Sequence, residues 1–279
     1  MAHEPTLPGN PHQLTIEQHI FPRSAIQRFA DADGMVQVER FASPAPFRVR
    51  PDNNLFCARR AWDQTTETMR SWPTEQAYAA LANRIVLGDV RTLTAQMDTV
   101  VTEFYLLWNH RHNIAALAPA DSVLNLVAPE PPRTKAEEEI LESKGYIFAR
   151  GNVIPSRFIN GLTIMRENDR GMLAMQGKHW GIVRAVMGEF LVPDNTATLT
   201  LIPVSPSICL SMESDDVELE PAGVGFVNRH LIDCARSYGW ALLACCINLR
   251  NCSTNAAASR CARNTVSRSV WAALCMKWA

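Results

Sequence analysis

The sequence predicts an α+β fold: a predominantly helical single domain with a small N-terminal antiparallel sheet and a second β element around residues 180–210. Three observations lead to this prediction. Residues 35–41 alternate between apolar and polar side chains, as a half-buried strand does. Apolar side chains recur at spacings of three and four from Leu93 to Trp108, which is typical of a helix. The apolar run from Leu199 to Pro206 has the length of a buried strand.

A short helix and the first sheet are predicted near the N-terminus. Pro22 suits the first turn of a helix, where its missing N–H costs nothing, and Ile26 and Phe29 then share one face. His19 therefore comes just before a helix. After the strand at 35–41, we expect residues 47–50 and 55–58 to complete the small antiparallel sheet.

Helices dominate the middle of the chain. Asp63 is expected to cap a helical segment that runs to Ser71, and Pro73 opens a helix that continues to about Leu87. The strongest helical pattern, from Leu93 to Trp108, follows and should be mostly buried.

The second half of the chain is more mixed. Residues 135–143 predict a short charged helix, and 146–149 a strand. Glycines interrupt the pattern of 151–178, so no element is assigned there. One or two strands are expected in 180–192, and a final helix in 226–246.

These elements predict three parts of the chain. Residues 1–18 are polar and proline-marked, which favours an N-terminal arm. The main domain covers 19–247, with a sub-boundary expected in the proline-rich loop 119–132. Residues 248–279 form a basic C-terminal extension.

Composition excludes several classes of protein. With 27 basic and 28 acidic residues, the chain has no overall charge that would attract a polyanion. The segment from Cys234 onward, however, contains six Lys or Arg and no Asp or Glu. This segment predicts nucleic acid as a partner through the basic extension. A solvated, loosely ordered chain end is the alternative interpretation.

Cysteines and apolar runs indicate where the protein works. None of the eight cysteines has the C-x-x-C spacing of a structural zinc site. Without a recognisable secretory signal, we expect reduced cysteines in a cytoplasmic protein. The apolar run at 240–247 is too short to cross a bilayer, which needs about 20 residues, so no membrane partner is expected.

Several motifs follow one another along the chain: the segment His19 to Pro22, the helix ending near Arg111, the Asp194-Asn195 turn, Ser205-Pro206, and Asn228 in the last helix. In their order and spacing, these motifs resemble the domain of unknown function 4238 family over residues 19–247. The family's turn usually continues with proline, whereas Thr196 follows here. The resemblance implies a fold more than a chemistry, because the family has no established activity.

Five polar residues are candidates for a functional site: His19, Arg111, Asp194, Asn195 and Asn228. Arg111 stands seven residues after Phe104 on an apolar helix face, so its guanidinium needs an anionic partner. That partner is a ligand if Arg111 is an anion clamp, or a carboxylate of the protein if the pair is structural.

The other four candidates also have two interpretations. Asp194 and Asn195 follow a strand, where they either form a turn or place a carboxylate that binds a divalent metal such as Mg²⁺. His19 is an acid, a base or a packing residue. Asn228 in the final helix needs hydrogen-bond partners. We expect the five to converge on one pocket.

Such a pocket suits phosphodiester hydrolysis, with Asp194 as metal ligand or base, Arg111 on the phosphate and His19 as acid or base. The sequence thus predicts a metal-dependent, nuclease-like hydrolase. A non-catalytic binding protein with a structural polar cluster is the alternative. A small-molecule-modifying enzyme, with an apolar pocket walled by Trp180 and Trp240, is a third hypothesis.

Overall fold

The computed structural model describes residues 4–40, 45–125, 132–194, 200–234 and 238–241, and its architecture is α+β. Internal contacts divide the chain into two units, each assembled from separate stretches of sequence. The first unit comprises Met1–Phe21, Asn54–Ala77 and Thr102–Met175. The second comprises Pro22–Asn53, Tyr78–Val101 and Gln176–Ala279. The predicted division at 18 and 247 stays a prediction.

Helices form most of the regular structure in the described part of the chain. They are α1 (Arg23–Gln27), α2 (Trp72–Leu87), α3 (Ala95–Leu117), α4 (Lys135–Ser143), α5 (Ser156–Ala174) and α6 (Pro221–Cys234). The predictions for α1 to α4 are confirmed. None of these helices combines the length and the apolarity that a membrane crossing requires.

Local sequence signals explain where several helices begin. Pro22 is the residue before α1. Asp63 accepts hydrogen bonds from the Thr66 amide at 3.0 Å and from the Thr66 hydroxyl at 2.8 Å, which confirms the predicted cap. The π-helical turn Thr66–Ser71 then leads directly into α2. At α4, Thr134 and Glu137 form a capping box, in which each side chain bonds the other's amide.

In the part of the first unit that the structure describes, strands form two short antiparallel pairs. β1 (Glu17–His19) pairs with β4 (Cys57–Arg59), and β5 (Ser122–Val123) pairs with β6 (Val153–Ile154). A hydrophobic core in this unit contains the buried residues Trp62, Leu107, Ile114 and Ile164.

Within its described residues, the second unit contains two four-stranded sheets. One has the order β3–β2–β12–β8, with β2 at Val36–Arg40, β3 at Phe47–Val49, β8 at Val192–Pro193 and β12 at Tyr238–Ala241. The other has the order β11–β7–β10–β9, with β7 at Trp180–Ala185, β9 at Leu201–Ser205, β10 at Ile208–Met212 and β11 at Val217–Leu219. β8 is an edge strand, and Asp194 follows it directly. The predicted strands around residues 36–40, 47–49 and 180–210 are therefore present.

Three element predictions were wrong. Residues 54–56 form a 3₁₀ turn, and the strand that follows, β4, pairs with β1 rather than with β2 and β3. Residues 146–149 form no strand. The last helix ends at Cys234, and 238–241 form β12 between β2 and β8. An apolar run rich in aromatic residues suits a strand as well as a helix, and only the available partners decide between them.

The helix α5 was missed because two glycines interrupt its pattern, and close packing explains both of them. A Cβ at Gly161 would lie 1.7 Å from Oδ2 of Asp63, and a Cβ at Gly171 would lie 2.6 Å from Leu106. The glycines therefore weaken the helix locally and allow its close approach to neighbouring segments of the first unit.

We expect Gly161→Ala to destabilise the protein by about 1–3 kcal/mol, since the added methyl group overlaps the capping carboxylate of Asp63. Urea-induced unfolding measures the change. Gly225→Ala in α6 is the matched control, because a Cβ there meets nothing within 4 Å. This control should stabilise the protein by about 0.5–1 kcal/mol. Equal stability of the two variants would contradict the packing explanation.

Candidate functional site

Arg111 lies on α3 in the first unit and is almost fully buried, with a side chain only 1% exposed. Its guanidinium forms an ion pair with Glu75 and contacts Glu67 at 3.4 Å. It also donates to the main-chain carbonyl of His19 at 3.0 Å. The guanidinium carbon lies 5.1 Å from the centre of the Trp62 ring, within the range of a cation–π contact.

Glu67, one of the two carboxylates beside Arg111, is held by a further group. Nε1 of Trp62 donates to Glu67 at 2.5 Å. Burial raises the pKa of Glu75, and the negative charge of Glu67 raises it further, while the positive charge of Arg111 opposes both effects. Arg111 thus has the internal carboxylate partners that the structural interpretation of its burial requires.

The remaining predicted site residues fall in both units. His19 ends β1 in the first unit and is half-buried. Asp194, also half-buried, and Asn228 lie in the second unit. Asn195 lies outside the described residues. The structure brings the main chain of His19 to Arg111, whereas the convergence of all five residues stays a prediction.

Asn228 satisfies the main chain near the strand that precedes Asp194. Its side-chain oxygen accepts from the Leu191 amide at 3.0 Å, and its NH₂ group donates to the Glu189 carbonyl at 2.7 Å. Both ends of the amide thus bind backbone, and Asn228 fixes the chain just before β8. Within the described residues, no group of three or more His, Cys, Asp or Glu is arranged to hold a metal ion. Asp194 as a metal ligand stays a prediction.

A second site, which sequence reasoning missed, is a cleft of about 1120 Å³ within the first unit. Its lining includes four arginines: Arg59, Arg60, Arg150 and Arg157. Apolar side chains line it too, namely Ile20, Ile114, Ala115 and Ala118. Glu4, from the segment predicted to be an arm, also lies on this cleft.

The charged wall of the cleft depends on α4. Glu138, Glu139 and Glu142 lie within about one turn of this helix, and all three are buried. Two arginines converge on Glu142: Arg60 at 2.7 Å and Arg157 at 2.8 Å. Buried carboxylates need such partners, because an unpaired charge away from water is strongly unfavourable.

Arg150 extends the same network towards solvent. Its Nε and Nη2 bind the two oxygens of Glu138 at 2.7 and 2.6 Å, which is the bidentate geometry of a strong guanidinium–carboxylate pair. A main-chain bridge to Val153 holds Arg150 at the start of the turn before α5. The side chain of Arg150 remains 37% exposed, in contrast to that of Arg157, which is 5% exposed.

Glu4 completes this network. One of its carboxylate oxygens contacts Lys135 and Arg150, and the other accepts from Arg157 at 2.6 Å. Burial by itself would raise the pKa of Glu4, but hydrogen bonds from Arg150 and Lys135 and the charge of Arg157 outweigh it and lower the pKa to about 2. The site therefore favours an anion strongly over a neutral group.

Part of this network was visible in the sequence. The charged helix 135–143 was predicted, and its glutamates at spacings of three and four share one face. The sequence could not show that this face is buried, nor that Arg60, Arg150 and Arg157 meet it, because these arginines come from other elements.

Fold and site together define an α+β protein with a cation-lined cleft in its first unit. Comparisons with protein-family models, with curated proteins and with solved structures find no match. The resemblance to the domain of unknown function 4238 family therefore stays a prediction.

We expect Arg111→Met to destabilise the protein by about 3–5 kcal/mol, because it leaves the carboxylates of Glu75 and Glu67 without their cation. The free energy of unfolding in urea measures this loss. Arg170→Met is the control, since Arg170 is 71% exposed and contacts only the surface residue Glu167 among the ion pairs described. That change should cost no more than about 1 kcal/mol. A stable Arg111→Met variant that loses only ligand binding would favour the anion-clamp interpretation instead.

Proposed function

We propose that this protein binds a small anionic ligand, carrying a carboxylate or phosphate group, in the arginine-lined cleft of the first unit. The observation that carries the proposal is the number of arginines on one cleft: Arg59, Arg60, Arg150 and Arg157. Arginine presents five N–H donors in a planar fork that matches carboxylate and phosphate oxygens. Each of the four also pairs with a glutamate, but Arg59 and Arg150 remain partly exposed, so the cleft suits an anion better than a neutral or cationic ligand.

The two sides of the cleft favour an amphipathic ligand. Arg150 and Arg59 are 37% and 52% exposed, so their guanidinium groups are accessible from water. The apolar residues Ile20 and Ile114 offer a surface to the uncharged part of the ligand. A small molecule with one anionic end and an apolar body therefore fits the lining better than a bare inorganic ion.

Arg111 is a poorer candidate for contact with the ligand. Its side chain is 1% exposed and already paired with Glu75 and Glu67. This supports the alternative derived from the sequence, a binding protein in which the Arg111 cluster is structural.

Phosphodiester hydrolysis is the second candidate function, because arginine side chains also bind phosphodiester groups. In this proposal nucleic acid is the partner, Mg²⁺ the cofactor and Asp194 its ligand, with His19 as acid or base. The basic extension 248–279 would guide the nucleic acid. For both candidate functions we propose a cytoplasmic location. The buried thiol of Cys209, which forms no disulfide, supports a reducing compartment.

Anion binding is tested by isothermal titration calorimetry with inorganic phosphate, citrate and adenosine monophosphate at low ionic strength. We expect adenosine monophosphate or citrate to bind the wild-type protein. We expect Arg150→Gln to weaken binding about tenfold or more, the effect of losing one charge-assisted hydrogen bond. Arg166→Gln is the control, because Arg166 is 67% exposed in the same unit and is not among the residues that line the cleft. Failure of all three probes to bind would contradict the proposal.

Hydrolysis is tested by incubating the protein with single-stranded and duplex DNA and with RNA, in the presence of Mg²⁺ or Mn²⁺. Cleavage should be lost on addition of a chelator and reduced at least about a hundredfold in Asp194→Ala, the size of effect expected when a catalytic group is removed. Gel electrophoresis of the products measures cleavage. Intact substrates, or equal cleavage by wild type and Asp194→Ala, would rule out this second candidate.

A further inference from the structure

The carboxylate of Glu4 has the surroundings of a bound ligand. Three cations hold its two oxygens: Lys135 and Arg150 at one, and Arg157 at the other. Arg60 also donates to the main-chain carbonyl of Glu4, at 3.2 Å. The side chain of Glu4 remains 27% exposed, and the residue lies on the lining of the cleft.

Glu4 differs from the other acids of the network in how it is held. Glu138, Glu139 and Glu142 are fixed on the rigid helix α4. Glu4 belongs to residues 4–16, which form neither helix nor strand. Besides the ion pairs of Glu4, two hydrogen bonds to main-chain groups attach the beginning of this segment, from the Leu7 amide to Glu139 at 2.7 Å and from Arg60 to the Glu4 carbonyl. Glu4 is thus the acid of the network whose carboxylate can leave without moving a helix.

The charge balance of the network indicates what must replace it. Four cations, Arg60, Lys135, Arg150 and Arg157, face four carboxylates, and Glu4 supplies one of these. If Glu4 leaves, the four cations face three carboxylates. Arg157 is only 5% exposed and would then keep only Glu142, which it shares with Arg60, so water would poorly replace the lost charge. A second compact oxyanion is the natural substitute.

We infer that Glu4 occupies the oxyanion subsite of the cleft as an internal stand-in, and that the carboxylate or phosphate of a ligand binds Lys135, Arg150 and Arg157 by displacing it. This inference rests on the proposed function and adds to it the position of the charged group and a competition with the N-terminal segment. The affinity of the wild-type protein is then reduced by the fraction of molecules in which Glu4 occupies the subsite.

The inference is tested by comparing wild type, Glu4→Gln and Glu167→Gln in calorimetric titrations with adenosine monophosphate and with citrate. Glu167→Gln removes the same charge from the same unit on the surface of α5, where Glu167 pairs with Arg166 and Arg170. We expect Glu4→Gln to bind at least about tenfold more tightly than wild type, and Glu167→Gln to bind like wild type. The ligand whose affinity increases more in Glu4→Gln shows whether the subsite prefers phosphate (adenosine monophosphate) or carboxylate (citrate).

A second measurement keeps the inference testable if Glu4→Gln is poorly folded. Glu4→Ala should unfold at a lower temperature than wild type, and acetate or phosphate should restore more of that loss than chloride at equal ionic strength. Wild type and Glu167→Gln should show a much smaller selective gain, because an anion must first displace Glu4 from their subsite. A purely structural Glu4 predicts the loss of stability without the selective rescue.

The outcomes distinguish failure of the inference from failure of the proposed function. If wild type binds and Glu4→Gln binds no more tightly, the inference is overturned and the proposed function stands. Binding by Glu4→Gln alone shows that Glu4 closes the subsite and is not displaced by these ligands, which overturns both the displacement and the proposed function as stated. If neither protein binds and Glu4→Ala shows no rescue, both are overturned.

Discussion

A guanidinium removed from water needs a carboxylate beside it, and this requirement shapes the first unit. The side chains of Arg60, Arg111 and Arg157 are no more than 5% exposed, and each contacts a glutamate. Leaving any one of them unpaired would cost several kcal/mol, on the order of the whole stability of a domain. Ion pairs with arginines on distant segments therefore help to fix the positions of α2 and α4, which carry these glutamates.

Aromatic rings also stabilise the buried guanidinium groups. Arg111 lies over Trp62, and Arg157 lies 4.7 Å from the centre of the Phe158 ring. The face of an aromatic ring is negative, so it supplies part of the stabilisation that water would otherwise give to the cation. Even so, buried ion pairs are seldom more stable than apolar residues of the same volume. Several of them along one cleft are better explained by a demand for charge at that cleft than by a demand for stability.

Secondary-structure elements could be predicted from the sequence where local signals determine them. Predictions failed where contacts between distant parts of the chain determine the structure. α4 was predicted at its observed bounds, because Thr134, Glu137 and the charge pattern are local. α5 was not, because its glycines discourage a helix locally and are required by packing against residues far away in the chain. The position of Arg111 on the buried face of its helix was likewise predicted. Its partners Glu75 and Glu67 were not, because they lie 36 and 44 residues away in the sequence. Pairing at that separation leaves no periodic signal, and for the same reason the arginine-lined cleft could not be predicted.

Two properties determine which cation is suited to bind a ligand: the exposure of its side chain, and how firmly its carboxylate partner is held by the fold. To accept an outside anion, Arg111 would have to give up Glu75, which lies on α2, and the cost would include moving a helix of the core. Arg150 and Lys135 are 37% and 30% exposed, and the carboxylate that they share belongs to a segment without regular structure. Exchanging that carboxylate for a ligand preserves every charge contact and disturbs few main-chain bonds. Segments whose first residues are held by few main-chain bonds open at low free energy, so competition between protein and ligand for the same cations is most favourable at the start of the N-terminal segment.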